Sequence, residues 1–518
     1  MQGLAADLAG CRKARAPMAR AIVLACVSGF GGCTVGPDFT RPTPPSAARY
    51  TADSLRGEKA RTDDKIQHIA LGQKIAGEWW SLFRSDAIDE LVKLAVAHNR
   101  NLTAAAATLK QAQELALAQA GSQYPQVGLT AGAGRQQYGY EFLGGLAKIP
   151  PFTYFAVGPT VSYALDYTGG VARGVEQQYA LAEVERHHLD AAYLTVTGQA
   201  VMQTLAIASA RSQIATIETI LAQDHDNLKL VQTAYENGSV ARVDVVSAQS
   251  QIANDMTLLP PLRQDLAKAR HALSVVLGRA PASELPKEVD LSQITLPLEV
   301  PVNLPSELAH RRPDILAAEA RLHAATSAVG VAQSNLYPKI QLSATVGQQS
   351  LKTDQLFDGT STAWSLISGL TASLFDGGTL RAEKRAAIDA MHASAAAYEQ
   401  TVLEAFAQVA DLLEGLDHDA EQLEAQDQAQ QAAQSSLDLA RASYKEGNVG
   451  VLQVLDAERS YQQARLGSVR AVAQRYLDTV QLFLALGGTS PSAPLAATAP
   501  VPISRDAARP LKDGQNVF

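Results

Sequence analysis

Two very long stretches of this chain contain no proline, one between Pro159 and Pro260 and one between Pro338 and Pro491. Proline breaks helix interiors, so its absence lets each stretch carry a continuous helix. Gly170 to Asn237 reads as one such helix and Gly378 to Glu446 as another. Each would extend ~100 Å at ~1.5 Å per residue. A helix of that length has no core of its own and must be a stave in a coiled-coil-like wall. Both stretches end on related motifs, "YENGSVARVDVV" from Tyr235 and "YKEGNVGVLQVL" from Tyr444. Gly238 and Gly447 fit the left-handed residue that closes a helix. Ser239 and Asn448 are expected to cap the helix that follows. The chain would thus reverse in a tight αα-hairpin. The returning helices are expected at about 240–278 and 449–486. Pro260-Pro261 should break or kink the first, and nothing interrupts the second.

The tip motif belongs to a longer internal repeat. "QYPQVGLTAGAG" (123–134) pairs with "LYPKIQLSATVG" (336–347), and "NLTAAAATL" (101–109) with "DILAAEARL" (314–322). "YTGGVAR" (167–173) pairs with "FDGGTLR" (375–381), and "LSVVLG" (273–278) with "LFLALG" (482–487). The offset shifts once, between the "YP" and "GG" landmarks, so a loop there differs in length. The period is about 200 residues, far above that of a solenoid. Each half also carries two segments of alternating polarity, at about 124–137 and 153–166 and at about 337–350 and 361–375. Alternation over roughly ten residues suits a transmembrane barrel strand, though a half-buried soluble hairpin gives the same pattern and is its commoner source. Four strands cannot enclose a lumen, and an open edge is prohibitive in a bilayer. A ring of identical chains would supply the missing strands, with physics alone leaving two or three copies open.

The formal charge of −8 and the lack of a basic stripe argue against a nucleic-acid partner. The three cysteines, Cys11, Cys26 and Cys33, all lie in the first 33 residues. No disulfide or cysteine metal site is therefore available to the rest of the chain. Arg12, Lys13, Arg15 and Arg20 precede the apolar run "AIVLACVSGFGGC", the pattern of a secretory signal. Gly31 and Gly32 before Cys33 resemble a lipoprotein cleavage site, which makes Cys33 the expected lipidation residue. Cleavage at Cys26 would leave too short an apolar region. Met18 is an alternative start. His187-His188 is a poor chelate pair, because adjacent helix residues point in different directions. These two are expected at the solvent or an interface, and no metal, cofactor or catalytic constellation is expected.

Several long stretches resemble the outer-membrane factor family of the TolC/OprM type, in its efflux lipoprotein branch. They are "GCTVGPDFTRP" (32–42), "WWSLFRSDAIDELVKLA" (79–95), "RRPDILAAEARLHAA" (311–325), "VGVAQSNLYPKIQLSATVG" (329–347), "LFDGGTLRAE" (374–383) and "YKEGNVGVLQVLDAERSYQQA" (444–464). The resemblance implies an α+β membrane protein with a tandem internal duplication. It would be a homotrimer forming a twelve-stranded outer-membrane β-barrel, continued by a twelve-helix periplasmic α-barrel with an equatorial domain. The chain would then divide into a signal peptide (1–32), an extended segment (33–78), a first repeat (79–278), an equatorial linker (279–312), a second repeat (313–488) and a C-terminal tail (489–518). The implied partners are a periplasmic adaptor, an inner-membrane RND pump and outer-membrane lipid. The implied work is passive export of drugs or small toxic compounds, without catalysis. An outer-membrane duct for type I protein secretion and a non-conducting coiled-coil scaffold are the competing readings.

Residue roles follow from the same resemblance. Aspartates early in the second returning helix line the family's periplasmic constriction; Asp456 matches one such position, and Gln453 replaces the other. One acidic ring instead of two would weaken cation selectivity. Asp244, with Arg242 nearby, lies where the family uses polar links to hold the tip closed. A first-turn acid favoured by the helix dipole explains Asp244 equally well. Trp79, Trp80 and Phe83 are expected to pack the equatorial domain.

Overall fold

The structure is a computed structural model that describes residues 34–43, 47, 49–52, 67–139 and 150–488. In chain order it runs β1 (His68–Leu71), a 3-10 turn (Trp79–Phe83), α1 (Asp86–His98), α2 (Arg100–Gly121), β2 (Gln126–Gln136), β3 (Phe152–Leu165), α3 (Gly170–Glu236), α4 (Arg242–Met256), α5 (Leu259–Val276), β4 (Glu299–Val302), α6 (Pro305–Leu308), α7 (Pro313–Ser334), β5 (Lys339–Ser350), β6 (Thr362–Thr371), α8 (Thr379–Lys445) and α9 (Val451–Ala485). The signal segment with Cys33 and the tail at 489–518 lie outside the described residues. Among those described, no helix is long and apolar enough to cross a membrane.

The two long helices, α3 and α8, have 67 residues each. Both begin at an aspartate that satisfies orphaned helix N–H groups. Asp166 Oδ2 accepts from Ala172 N at 2.8 Å. Asp376 accepts from Gly378 N at 2.8 Å and from Leu380 N at 3.1 Å. The spine α3 packs against α1, α2, α4, α5, α7 and α9, while α8 lies against α7 and α9. The return of α3 is split in two. Helix α4 ends at Met256 and α5 starts at Leu259, so Pro260 and Pro261 stand in the first turn of α5. The break therefore precedes the prolines, because their missing N–H groups cost nothing in a first turn, where those groups have no helical acceptor. The return of α8 is the single 35-residue helix α9.

One antiparallel sheet has the order β2-β3-β5-β6. Its register makes the faces unlike. Val127, Val161, Ala344 and Leu366 form one row across all four strands. The opposite face carries hydroxyls, including Thr160, Thr345 and Ser365, with Thr345 and Ser365 hydrogen-bonded at 2.7 Å. In the single chain the apolar face is bare: Leu129, Trp364 and Leu366 are 76%, 78% and 74% exposed. The β3–β5 ladder skips Gly158 and Pro159. A Cβ on Gly158 would lie 2.3 Å from Val346 O, so only glycine permits the two strands to approach there.

The main core surrounds the parallel pair β1–β4, α1, the middle of α3 and α8, and the C-terminal part of α9. Trp79, Trp80 and Phe83 are buried in it. Trp79 meets Phe483 at 5.8 Å between ring centroids, and Phe83 meets Tyr476 at 6.3 Å. Trp80 Nε1 donates to Asp89 Oδ1 at 3.2 Å, and Tyr476 OH to Ile294 O at 2.7 Å. Each such aromatic contributes roughly 1.5–3 kcal/mol by burial. The two adjacent histidines diverge. His187 is buried beside Asp190 at 3.5 Å, whereas His188 faces Glu185 at 3.2 Å and is half-exposed. His187 thus departs from the solvent or interface location expected of it, because α3 is covered by neighbours on several sides.

Candidate gate at the helix-hairpin tips

Both tips have the same backbone. Gly238 has φ 73° and Gly447 φ 75°, the left-handed region that glycine enters without strain. Gly238 N donates to Tyr235 O at 2.9 Å and Ser239 N to Ala234 O at 2.8 Å. Gly447 N donates to Tyr444 O at 3.0 Å and Asn448 N to Ser443 O at 2.9 Å. These are the paired bonds of a Schellman close. They correct the expected role of Ser239 and Asn448, which finish the outgoing helix rather than cap the returning one. Ala241 and Gly450 occupy the N-cap positions, and neither offers a side-chain acceptor. Beyond the turns, Ala248 and Ala457 are buried where the paired helices meet. Leu437, Ala440, Val454 and Ala457 make a small core in the second hairpin.

Asp244 is buried, and its Oδ2 accepts from Ala241 N at 2.9 Å. Within the chain it therefore supplies the cap that Ala241 cannot, and the positive helix end favours its charge. Arg242 is exposed and makes no ion pair among the described residues. Gln453 and Asp456 are exposed on α9. Asp456 pairs with Arg459 on the same helix, both more than half exposed, a contact worth ~0–1 kcal/mol. Any acidic ring built from Asp456 thus carries a counter-charge one turn away.

The stronger electrostatics lie deeper in the hairpins, at positions the sequence pattern did not single out. Glu458 on α9 is sealed, with its side chain 2% exposed, and accepts from Arg441 on α8 at 2.6 Å. Asp224 on α3 is buried and accepts from Gln462 on α9 at 2.8 Å.

At the other end, residues 34–43 are strapped to the junction of sheet and helices. Val35 N donates to Thr168 O at 2.9 Å. Arg173 pairs with Asp38 and, at 2.8 Å, with Glu176. Arg41 pairs with Glu319 at 2.7 Å, and Phe39 stacks on His323 with centroids 4.4 Å apart. A Cβ on Gly36 would sit 2.5 Å from Gly330 Cα, so the strap lies directly on the backbone of α7.

The model of the outer membrane efflux protein family matches residues 91–279 and 304–488. The pyoverdine export outer membrane protein OpmQ of Pseudomonas putida is 30% identical over 415 residues, covering 79% of this chain and 87% of that protein. The toluene efflux pump outer membrane protein TtgF of Pseudomonas putida is 28% identical over 464 residues, covering 89% of this chain and 94% of its own. The outer-membrane channel OprN superposes with a TM-score of 0.75 at 27% identity, covering 88% of this chain and 99% of OprN. With both halves of the chain matched, and with the fold of a known outer-membrane channel, this protein belongs to the outer membrane efflux protein family.

Proposed function

We propose that the chain is the exit duct of a tripartite efflux system, a homotrimer that passes small toxic organic compounds through the periplasm and outer membrane without catalysis. The observation that carries this reading is the four-stranded sheet, with open edges and a bare apolar face, joined to two 67-residue helices. An apolar outer face with paired edges is what a bilayer requires of strands. Three copies would give twelve strands and close the edges, with the hydroxyl face turned to the lumen. The recurring element order and the two matched segments favour descent from a tandem duplication. OpmQ and TtgF are named for pyoverdine export and toluene efflux, which favours small organic cargo. A periplasmic adaptor at the tips and an RND pump in the inner membrane complete the assembly.

Cys33 would carry the lipid once residues 1–32 are removed. The strap supports this, because it places Thr34 against Gly169, where the sheet gives way to α3. Each buried CH₂ adds ~0.8 kcal/mol, so several acyl chains anchor the protein stably. Mass spectrometry of the intact, membrane-extracted protein should find three copies acylated at Cys33, and planar-bilayer recording should find a pore. Monomers without conductance would return the protein to the scaffold reading.

A further inference from the structure

Asp224 is 5% exposed. Its Oδ1 accepts from Gln462 on α9, while its Oδ2 is sealed from water and receives no donor. A second carboxyl, that of Asp255 on α4, lies close enough to raise the pKa of Asp224. Asp255 accepts from Gln251 at 2.8 Å on its own helix. From α9, Glu458 adds a third acid with a sealed, donorless Oε1, and Arg441 on α8 pairs with that Glu458. Two carboxylates cannot hydrogen-bond each other, whereas a carboxylic acid and a carboxylate can. A proton shared between the two acids would supply the donor that the sealed Asp224 Oδ2 lacks.

We propose that Asp224 and Asp255 form a proton-operated latch, which holds α4 against α3 and α9 while they share a proton and frees α4 when it leaves. The element that the latch would free is well defined. Helix α4 has 15 residues and is bounded by the Gly238 turn and by the break between Met256 and Leu259. Asp255 is next to that break, and Arg242 and Asp244 ride at the other end of α4.

The direction of the pH effect follows from the environment of Asp224. Burial, then contact with Asp255 and the charge of Glu458, push its pKa up to about 7, against the Gln462 hydrogen bond that lowers it. A carboxyl whose folded pKa is raised stabilises the closed packing fully below the ordinary aspartate range. That stabilisation is lost as pH rises through about 7. The latch is therefore shut in acid and released toward neutral and alkaline pH. Any effect on conduction rests on the channel reading above; the latch itself does not.

Hydrogen exchange of α4 amides in the intact protein, corrected for intrinsic pH dependence, reads the latch directly. Between pH ~5 and ~7 the corrected rate should climb by up to about tenfold per pH unit, the limit for one linked proton, and then level off. In Asp224→Asn and in Asp255→Asn an amide can donate where the proton sat, so α4 should exchange slowly at every pH. A wild type without the excess slope, or a slope that survives both substitutions, overturns the latch. Planar-bilayer conductance of the same samples separates the two readings. A conducting protein whose α4 ignores pH rejects the latch alone, and a pH-sensitive α4 without a pore rejects the channel reading alone.

Discussion

Arg441→Gln tests what keeps the second hairpin shut. Glu458 is 2% exposed, and its pairing cation, Arg441, sits on the opposite helix 2.6 Å away, with its own side chain 42% exposed. Removing one partner of a fully buried pair costs about 3–5 kcal/mol, because a charge is left stranded. Here water can follow the half-exposed arginine inward. The cost should therefore fall to that of one charged hydrogen bond, roughly 1.5–3 kcal/mol. At ~1.4 kcal/mol per factor of ten, opening of the α8–α9 hairpin should rise about 10- to 100-fold. Glu458→Gln removes the buried charge and leaves an arginine that water can solvate, so its cost should be only ~0–1 kcal/mol. The double substitution should resemble Glu458→Gln, rescuing most of the loss in Arg441→Gln. Hydrogen exchange of residues 437–457 at one fixed pH provides the assay. If Arg441→Gln is no worse than Glu458→Gln, the pair does not hold the hairpin and the asymmetry argument fails.

Gly447→Ala should destabilise the second tip by about 1–2 kcal/mol through backbone strain alone, since a Cβ there would meet nothing within 4 Å. Gly447→Asn should cost less, and equal effects in local exchange would disprove that cause. Asp456→Ala should reduce cation preference or block by multivalent cations in bilayer recordings, while Arg459→Ala should increase it; unchanged selectivity in both would remove Asp456 from the pore lining. Phe483→Ala should cost about 3–5 kcal/mol, because Phe483 is fully buried between Trp79 and Phe83. Chemical denaturation should show that loss, and a shift under 1 kcal/mol would place the main core elsewhere.

The long helices were readable because their ends are set by local chemistry: glycine at Gly238 and Gly447, and no proline in between. The sheet was readable because a strand with two unlike faces alternates, as Ile340, Leu342, Ala344 and Val346 do against Gln341, Ser343 and Thr345. Ser239 and Asn448 misled because their residue types suit caps, while the preceding glycine directs their N–H groups backward to Ala234 and Ser443. The split between α4 and α5 was legible in Pro260-Pro261, and it falls just ahead of them because proline is tolerated in the first turn of the helix that follows. Asp244 carried two readings, and within one chain the local one is satisfied by the bond from Ala241 N. Asp224 and Glu458 escaped notice for a different reason. Helices covered on several sides bury residues around much of their circumference, so no stripe marks which acids lie inside. Only the meeting of α3, α4 and α9 identifies them.

The strap also bears on the order of biogenesis. Arg41 reaches Glu319 across 278 residues, and Asp38 reaches Arg173 across 135. Polypeptides are synthesised from the N-terminus, so the strap emerges long before its seat on α7 exists. Until Glu319, His323 and Gly330 arrive, the first-made segment has only its contacts with Thr168, Gly169 and Arg173, and a chain cut short of α7 never completes the seat. Full seating of residues 34–43 is thus reached only once α7 has been made, which ties the first-made of the described residues to the second half of the chain.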